Sequence, residues 1–131
     1  MKIKTIWKSK HEFDSWQDGN SIHIDGDRGT GVSPKSLLLS SLAGCSGIDV
    51  VDILEKMRVD FSELTIDVEA EQTDDHPRVF KDITIVYKIK TAAENEDKVR
   101  KAAELSLDKY CGVSAMLKKN SDIHFKIVIK Q

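Results

Sequence analysis

The chain has 131 residues, with 20 Lys plus Arg against 22 Asp plus Glu and a net charge of -2. That length supports a single domain over residues 1-131 with a real core, and so even a charge balance argues against a nucleic-acid partner or an anionic membrane surface. Met1-Lys-Ile-Lys-Thr-Ile-Trp7 lacks the apolar core of a signal peptide, and Asp49 and Asp52 interrupt the one long apolar stretch. The expectation is a cytoplasmic protein with no membrane partner, and in that compartment a cysteine pair is more often catalytic, redox-active or simply reduced than a structural disulfide.

Ile3 to Trp7, His11 to Gln17 and Ser21 to Asp25 read as three short strands, with Asp18-Gly19-Asn20 a hairpin turn. A loop from Asp25 to Ser33 leads to Pro34, which suits the first position of a helix capped by Ser33 and running to about Val59. On that helix Leu38, Leu42 and Cys45 share a face, and Leu39, Ala43, Val50, Leu54 and Met57 line an adjacent one, so its first half is buried on most sides. Leu64, Ile66, Val68 and Ala70 alternate with polar residues in a half-buried strand. Asp74-Asp-His-Pro77 turns the chain into a partner strand carrying Ile83, Ile85, Tyr87 and Ile89. A charged amphipathic helix follows from about Glu94 to Lys109, then a short one from Gly112 to Lys119, and Ile123, Phe125, Ile127 and Ile129 mark a last strand. The order βββ-α-ββ-αα-β defines an α+β domain of antiparallel sheets around two central helices.

Chemistry in this sequence centres on two cysteines 66 residues apart, Cys45 and Cys111. Gly44 and Gly47 flank Cys45 and each costs about 1 kcal/mol against alanine in a helix; what they allow is close approach of another helix or a substrate to the backbone beside the thiol. Cys45 is then either a small core hydrophobe at a tight crossing or a nucleophile in need of a cation, because burial alone raises a thiol pKa. Cys111 falls at the start of the short helix, where exposed N–H groups favour a thiolate. Of the four arginines, Arg58 and Arg100 lie on polar helix faces, while Arg28 sits in the glycine-rich loop ahead of the Cys45 helix and can fold back over the thiol or stand in solvent. Gly26-x-x-Gly29-x-Gly31 lacks the Gly-Lys-[Ser/Thr] of a phosphate loop, and His11, His23, His76 and His124 stand at no metal-ligand spacing, so neither a cofactor nor a metal is expected. Asp49 and Asp52 read as the face of the helix emerging into water.

Ser33-Pro34-x-x-Leu37 leading into Leu42-Ala43-Gly44-Cys45, His76-Pro77-x-x-Phe80 before a long strand, and Leu105-Ser106-x-x-Lys109-Tyr110-Cys111-x-Val113 together resemble the OsmC/Ohr family of hydroperoxide-detoxifying proteins, most of all its small OsmC-like bacterial members. The resemblance implies an intertwined homodimer with two sites at the subunit interface. It implies a thiol-dependent peroxidase for small organic or lipid hydroperoxides, with Cys45 as peroxidatic thiol and Cys111 resolving its sulfenic acid as a disulfide that an external thiol reductant reduces. Arg28 is the implied activating cation. Two departures stand out. Lys35 and Ser36 occupy the turn where the family carries a glutamate that holds the arginine, which leaves Asp25 or Asp27 as possible anchors, and Gly112 replaces a proline. They keep a second function in view, a non-enzymatic module binding an apolar ligand or partner in the same cleft. The dimer also follows from the Leu37–Leu54 segment, more apolar than one chain can cover; Gly44 and Gly47 are expected to let two-fold-related helices meet and to bring Arg28 over the other subunit's Cys45.

Overall fold

A computed structural model describes all 131 residues, in two compact units, Met1–Leu38 and Leu39–Gln131. The N-terminal unit is an antiparallel meander of β1 (Lys4–Ser9), β2 (Glu12–Gln17) and β3 (Asn20–Asp25). Asp18 and Gly19 turn the β2–β3 hairpin with φ of 49° and 83°, the paired positive values of a type I′ turn. The register sets Trp7, Phe13 and Ile24 side by side on one face, with Ile22 beside them. The other face carries Glu12, Asp14, His23 and Asp25. Trp7 is 62% exposed and Ile22 49%.

Helix α1 (Pro34–Lys56) opens as the sequence predicts: Ser33 Oγ accepts the Ser36 N–H at 3.4 Å, and Pro34 takes the first position, where its missing donor costs nothing. The helix closes three residues earlier than expected. Val59 N–H donates back to the Leu54 carbonyl at 3.0 Å, and Arg58 takes the left-handed turn at φ 57° in the place usually held by glycine. By length and composition α1 suffices to cross a membrane, with a mean hydropathy of 1.7 over its apolar window, so Asp49 and Asp52 do not break it up as expected. Its Leu42, Val50 and Leu54 are instead fully buried in the core of the C-terminal unit, each side chain worth about 1.5–3 kcal/mol on burial.

That core rests on a second three-stranded sheet, order β4-β5-β6, built from β4 (Phe61–Gln72), β5 (Phe80–Thr91) and β6 (Asp122–Lys130). Ile83, Ile85, Tyr87 and Ile89 of the central strand are buried and stand level with Ile66, Val68 and Ala70 on one side and Ile123, Phe125, Ile127 and Ile129 on the other. Tyr87 and Phe125 meet edge to face at 6.2 Å. The opposite face is polar and carries ion pairs such as Lys88–Asp67 at 2.9 Å. One expectation is corrected here. β6 runs parallel to β5, so this sheet is mixed and not antiparallel, because the helical crossover between them returns the chain to the same end of the sheet. The crossover holds α2 (Glu96–Leu105) and α3 (Gly112–Leu117). The single predicted helix ahead of Cys111 is in fact three pieces: a 3₁₀ turn over Ala93–Asn95, α2, and a π-helical turn over Ser106–Tyr110.

Candidate functional site

The C-terminal unit brings Cys45 and Cys111 together. Both are free thiols, and they lie near enough for Cys45 to act on the ionisation of Cys111. Cys45 sits in mid-α1, partly exposed, while Cys111 is only 3% exposed. Cys111 is the N-cap of α3, and its Sγ accepts the Ser114 N–H at 3.3 Å, as the spacing suggests. The electrostatic consequence differs from the expectation. Burial pushes the Cys111 thiol up and the adjacent Cys45 raises it further, and together they outweigh the Ser114 N–H that favours the thiolate. A six-residue helix has too small a dipole to reverse that order.

The π-helical turn puts Cys111 where it is. In an α-helix the Cys111 N–H would reach the carbonyl four residues back, Leu107; it bonds instead to Ser106 O, five residues back, at 2.7 Å. The freed Leu107 carbonyl accepts from Ser114 Oγ at 3.1 Å and from Lys118 Nζ. Single-turn π segments of this kind recur at functional sites.

Behind the thiols lies a polar cluster that sequence reasoning missed. Ser46, Tyr87 and Ser106 are all fully buried. Tyr87 Oη is 2.6 Å from Ser46 Oγ, and Ser106 Oγ is 2.9 Å from both Ser46 Oγ and Asp49 Oδ2. Burial pushes the Tyr87 phenol up to about 12. Asp49 is therefore not simply the solvated edge of α1. The signal was present: a serine at the centre of the Leu42-Ser46-Val50-Leu54 stripe, a tyrosine among isoleucines, and a serine next to Leu107 are three hydroxyls at core positions, which must find one another.

Gly47 has an assignable role. A Cβ there would stand 2.9 Å from Ile66 Cδ1, whereas one on Gly44 would meet nothing within 4 Å. The close approach at Gly47 is made by β4 of the same chain, while Gly44 stands open. Ala43, Gly44, Gly47, Ile48, Leu64 and Ile66 border an apolar cleft of about 510 Å³.

Arg28 belongs to the N-terminal unit, in a turn whose shape Asp25 dictates. Asp25 is 5% exposed and its carboxylate accepts the N–H groups of Asp27 (2.9 Å), Gly29 (3.0 Å) and Thr30 (3.0 Å), which hold it below the usual carboxylate range. The Arg28 N–H donates to Asp25 O at 3.0 Å and Arg28 sits at φ 58°. Asp25 therefore orders the backbone of the arginine's loop through N–H groups, and Asp27 pairs with His11 at 2.9 Å. Next to this turn His23 bridges Asp14 (2.6 Å) and Glu12 (3.1 Å), with Thr30 Oγ1 donating to Glu12 at 2.7 Å.

A fold of two three-stranded sheets with a central cysteine-bearing helix defines a class, and comparison with known proteins supplies it. The family model for OsmC-like proteins matches residues 25–126; the chain belongs to the OsmC-like family. It is 35% identical over 106 residues to Protein YhfA of Escherichia coli, covering 80% of this chain and 79% of that one. A hypothetical protein from Aquifex aeolicus superposes with a TM-score of 0.84 at 28% identity, over 99% of this chain and 97% of that one. The organic hydroperoxide resistance protein OhrB of Bacillus subtilis shares the fold with a TM-score of 0.64 at 16% identity, covering 96% of each chain.

Proposed function

We propose that this chain is a thiol-dependent peroxidase for organic hydroperoxides, acting as a cytoplasmic homodimer. The observation that carries the reading is the proximity of two reduced thiols distant in sequence, near enough for Cys45 to raise the Cys111 thiol, with Cys45 partly exposed and Cys111 buried. Family membership and the hydroperoxide-resistance neighbour support it. In the first step the Cys45 thiolate attacks the peroxide O–O bond; the sulfur gains a hydroxyl as sulfenic acid and the alkoxide leaves to become an alcohol. Cys111 then attacks that sulfur, the S–O bond breaks, and its proton leaves with the hydroxyl as water. An external dithiol returns the disulfide to two thiols by exchange. Arg28 is the cation proposed to stabilise the Cys45 thiolate. The exposed apolar residues, Trp7 and Ile22 in the N-terminal unit and Ile48, 66% exposed, on α1, support the homodimer; sedimentation at low micromolar concentration checks it.

The deciding assay follows cumene or tert-butyl hydroperoxide consumption with dithiothreitol or dihydrolipoamide, wild type beside Cys45→Ser and Arg28→Ala. Loss of turnover in Cys45→Ser and a strong reduction in Arg28→Ala are expected; equal slow rates for wild type and Cys45→Ser would end the peroxidase reading. The apolar cleft beside Gly44 and Gly47 favours a second reading, a binding module for an apolar ligand, in which neither thiol reacts faster than free cysteine.

A further inference from the structure

We propose that Ser46, Asp49 and Ser106 are positioning residues that hold Cys111 close to Cys45 for disulfide closure, as links in one connected network of hydrogen bonds. The proposal rests on reading the two cysteines as a redox pair. A carboxylate oxygen can only accept, and a hydroxyl has one proton to give. Ser106 Oγ has two acceptors for that proton, Asp49 Oδ2 and Ser46 Oγ, each 2.9 Å away. Ser46 Oγ in turn lies 2.6 Å from Tyr87 Oη, so the four side chains form one connected network. Every buried hydroxyl in the network has a partner.

Ser106 is where this network meets the cysteine. Its side chain is tied to α1, to the residue directly after Cys45 and to Asp49 one turn on. Its carbonyl accepts the Cys111 N–H at 2.7 Å. Thiol to thiol, the path runs from Cys45 through Ser46 Oγ, Ser106 Oγ and Ser106 O to Cys111 N, and each link is short and buried. Disulfide formation tolerates little error in the spacing of the two Cβ atoms, and a register held by hydrogen bonds on both sides of Ser106 supplies that precision without adding charge beside the thiols. Without the Ser106 anchor the turn is free to relax to α-helical register, with the Cys111 N–H moving toward Leu107 O.

The test needs no peroxide. Full-length wild type, Ser106→Ala, Asp49→Ala, Asp49→Asn and Ser40→Ala are equilibrated in reduced and oxidised glutathione, quenched in acid, alkylated and weighed intact. The Cys45–Cys111 disulfide is expected in wild type and in the exposed-site control Ser40→Ala. Its equilibrium constant should fall about tenfold in Ser106→Ala, the ratio one lost buried hydrogen bond is worth. Asp49→Ala should move the same way, and Asp49→Asn, whose amide oxygen still accepts, should return toward wild type. Near-ultraviolet circular dichroism of the reduced forms separates repositioning from unfolding, and Asp49, at the rim of the core, carries the test if Ser106→Ala does not fold. Wild-type constants in both Ser106→Ala and Asp49→Ala, or no Cys45–Cys111 disulfide in wild type, overturn the proposal. A normal disulfide response without any hydroperoxide turnover refutes the peroxidase reading and upholds the positioning role.

Discussion

Tyr87 provides a quantitative handle on the buried cluster. Its phenol is fully buried and pushed up to about 12, first by burial and then by Cys111 and Asp49 nearby, with the Ser46 hydrogen bond pulling the other way. In the unfolded chain the same phenol ionises near 10. The folded state thus disfavours the phenolate, so the contribution is fully present below pH 10 and is lost as pH rises from 10 toward 12. The whole interval is worth about 2.7 kcal/mol, and about 1.4 kcal/mol of it is gone by pH 11. Tyr87→Phe removes that dependence along with one hydrogen bond, a loss of about 1 kcal/mol at neutral pH.

Two stability curves then follow for urea unfolding by circular dichroism in the presence of a reductant. At pH 8 the variant should be the less stable protein. As pH rises past 10 the wild type loses ground and the variant does not, so the curves meet near pH 11. Lysine and thiol titrations act on both proteins and cancel in the difference. Parallel curves from pH 8 to 11.5 would show that the Tyr87 phenol ionises alike in both states, and the buried network of hydrogen bonds would fall with it.

The remaining predictions concern the thiols, the histidine cluster and the helix glycines. Iodoacetamide at pH 7, followed by peptide mass spectrometry, should label Cys45 well before Cys111, because Cys111 is buried and its thiol is held protonated by its surroundings; equal labelling would contradict that burial. His23 should titrate above the ordinary imidazole value in an NMR pH series, since Asp14 first and Glu12 second favour its charged form. Its contribution to the N-terminal sheet is therefore present below pH 6.5 and lost as pH rises through the elevated value, and Asp14→Asn should lower it. Gly44→Ala should stabilise the chain by up to about 1 kcal/mol, with Gly47→Ala gaining less because Ile66 must give way; urea midpoints order the two.

Sequence periodicity carried the element order because each buried face is made of repeated apolar residues: period two in Ile83-Ile85-Tyr87-Ile89, helical spacing in Leu42, Val50 and Leu54. It could not show the direction of β6, which depends on the length and path of the crossover. Nor could it show the π-helical turn before Cys111, where a helical pattern continues through a change of hydrogen-bond register without any change in composition. The pairing of Cys45 with Cys111 depends on residues 66 apart, so only family resemblance brought them together ahead of the structure. The ordering of the Arg28 loop was not legible either. Asp25 accepts the backbone N–H groups of that turn, as a short carboxylate next to consecutive N–H groups commonly does.

The Cys111 environment bears on how the proposed chemistry divides between the two thiols. An N-cap position alone argues for a reactive thiolate, and that argument loses here to burial and to the neighbouring Cys45. The outcome suits a resolving thiol. A group kept protonated and out of solvent is a poor target for peroxide, so the proposed chemistry assigns oxidation to the more exposed Cys45. Once Cys45 carries a hydroxyl, the Cys111 proton has a destination, because it leaves with that hydroxyl as water when the S–S bond forms. Protonation still slows the Cys111 attack, since the thiolate is the nucleophile, and a sulfur already in place is what offsets that cost. That placement depends on the hydrogen bond from Cys111 N–H to Ser106 O, and through Ser106 on a helix that carries Cys45 itself.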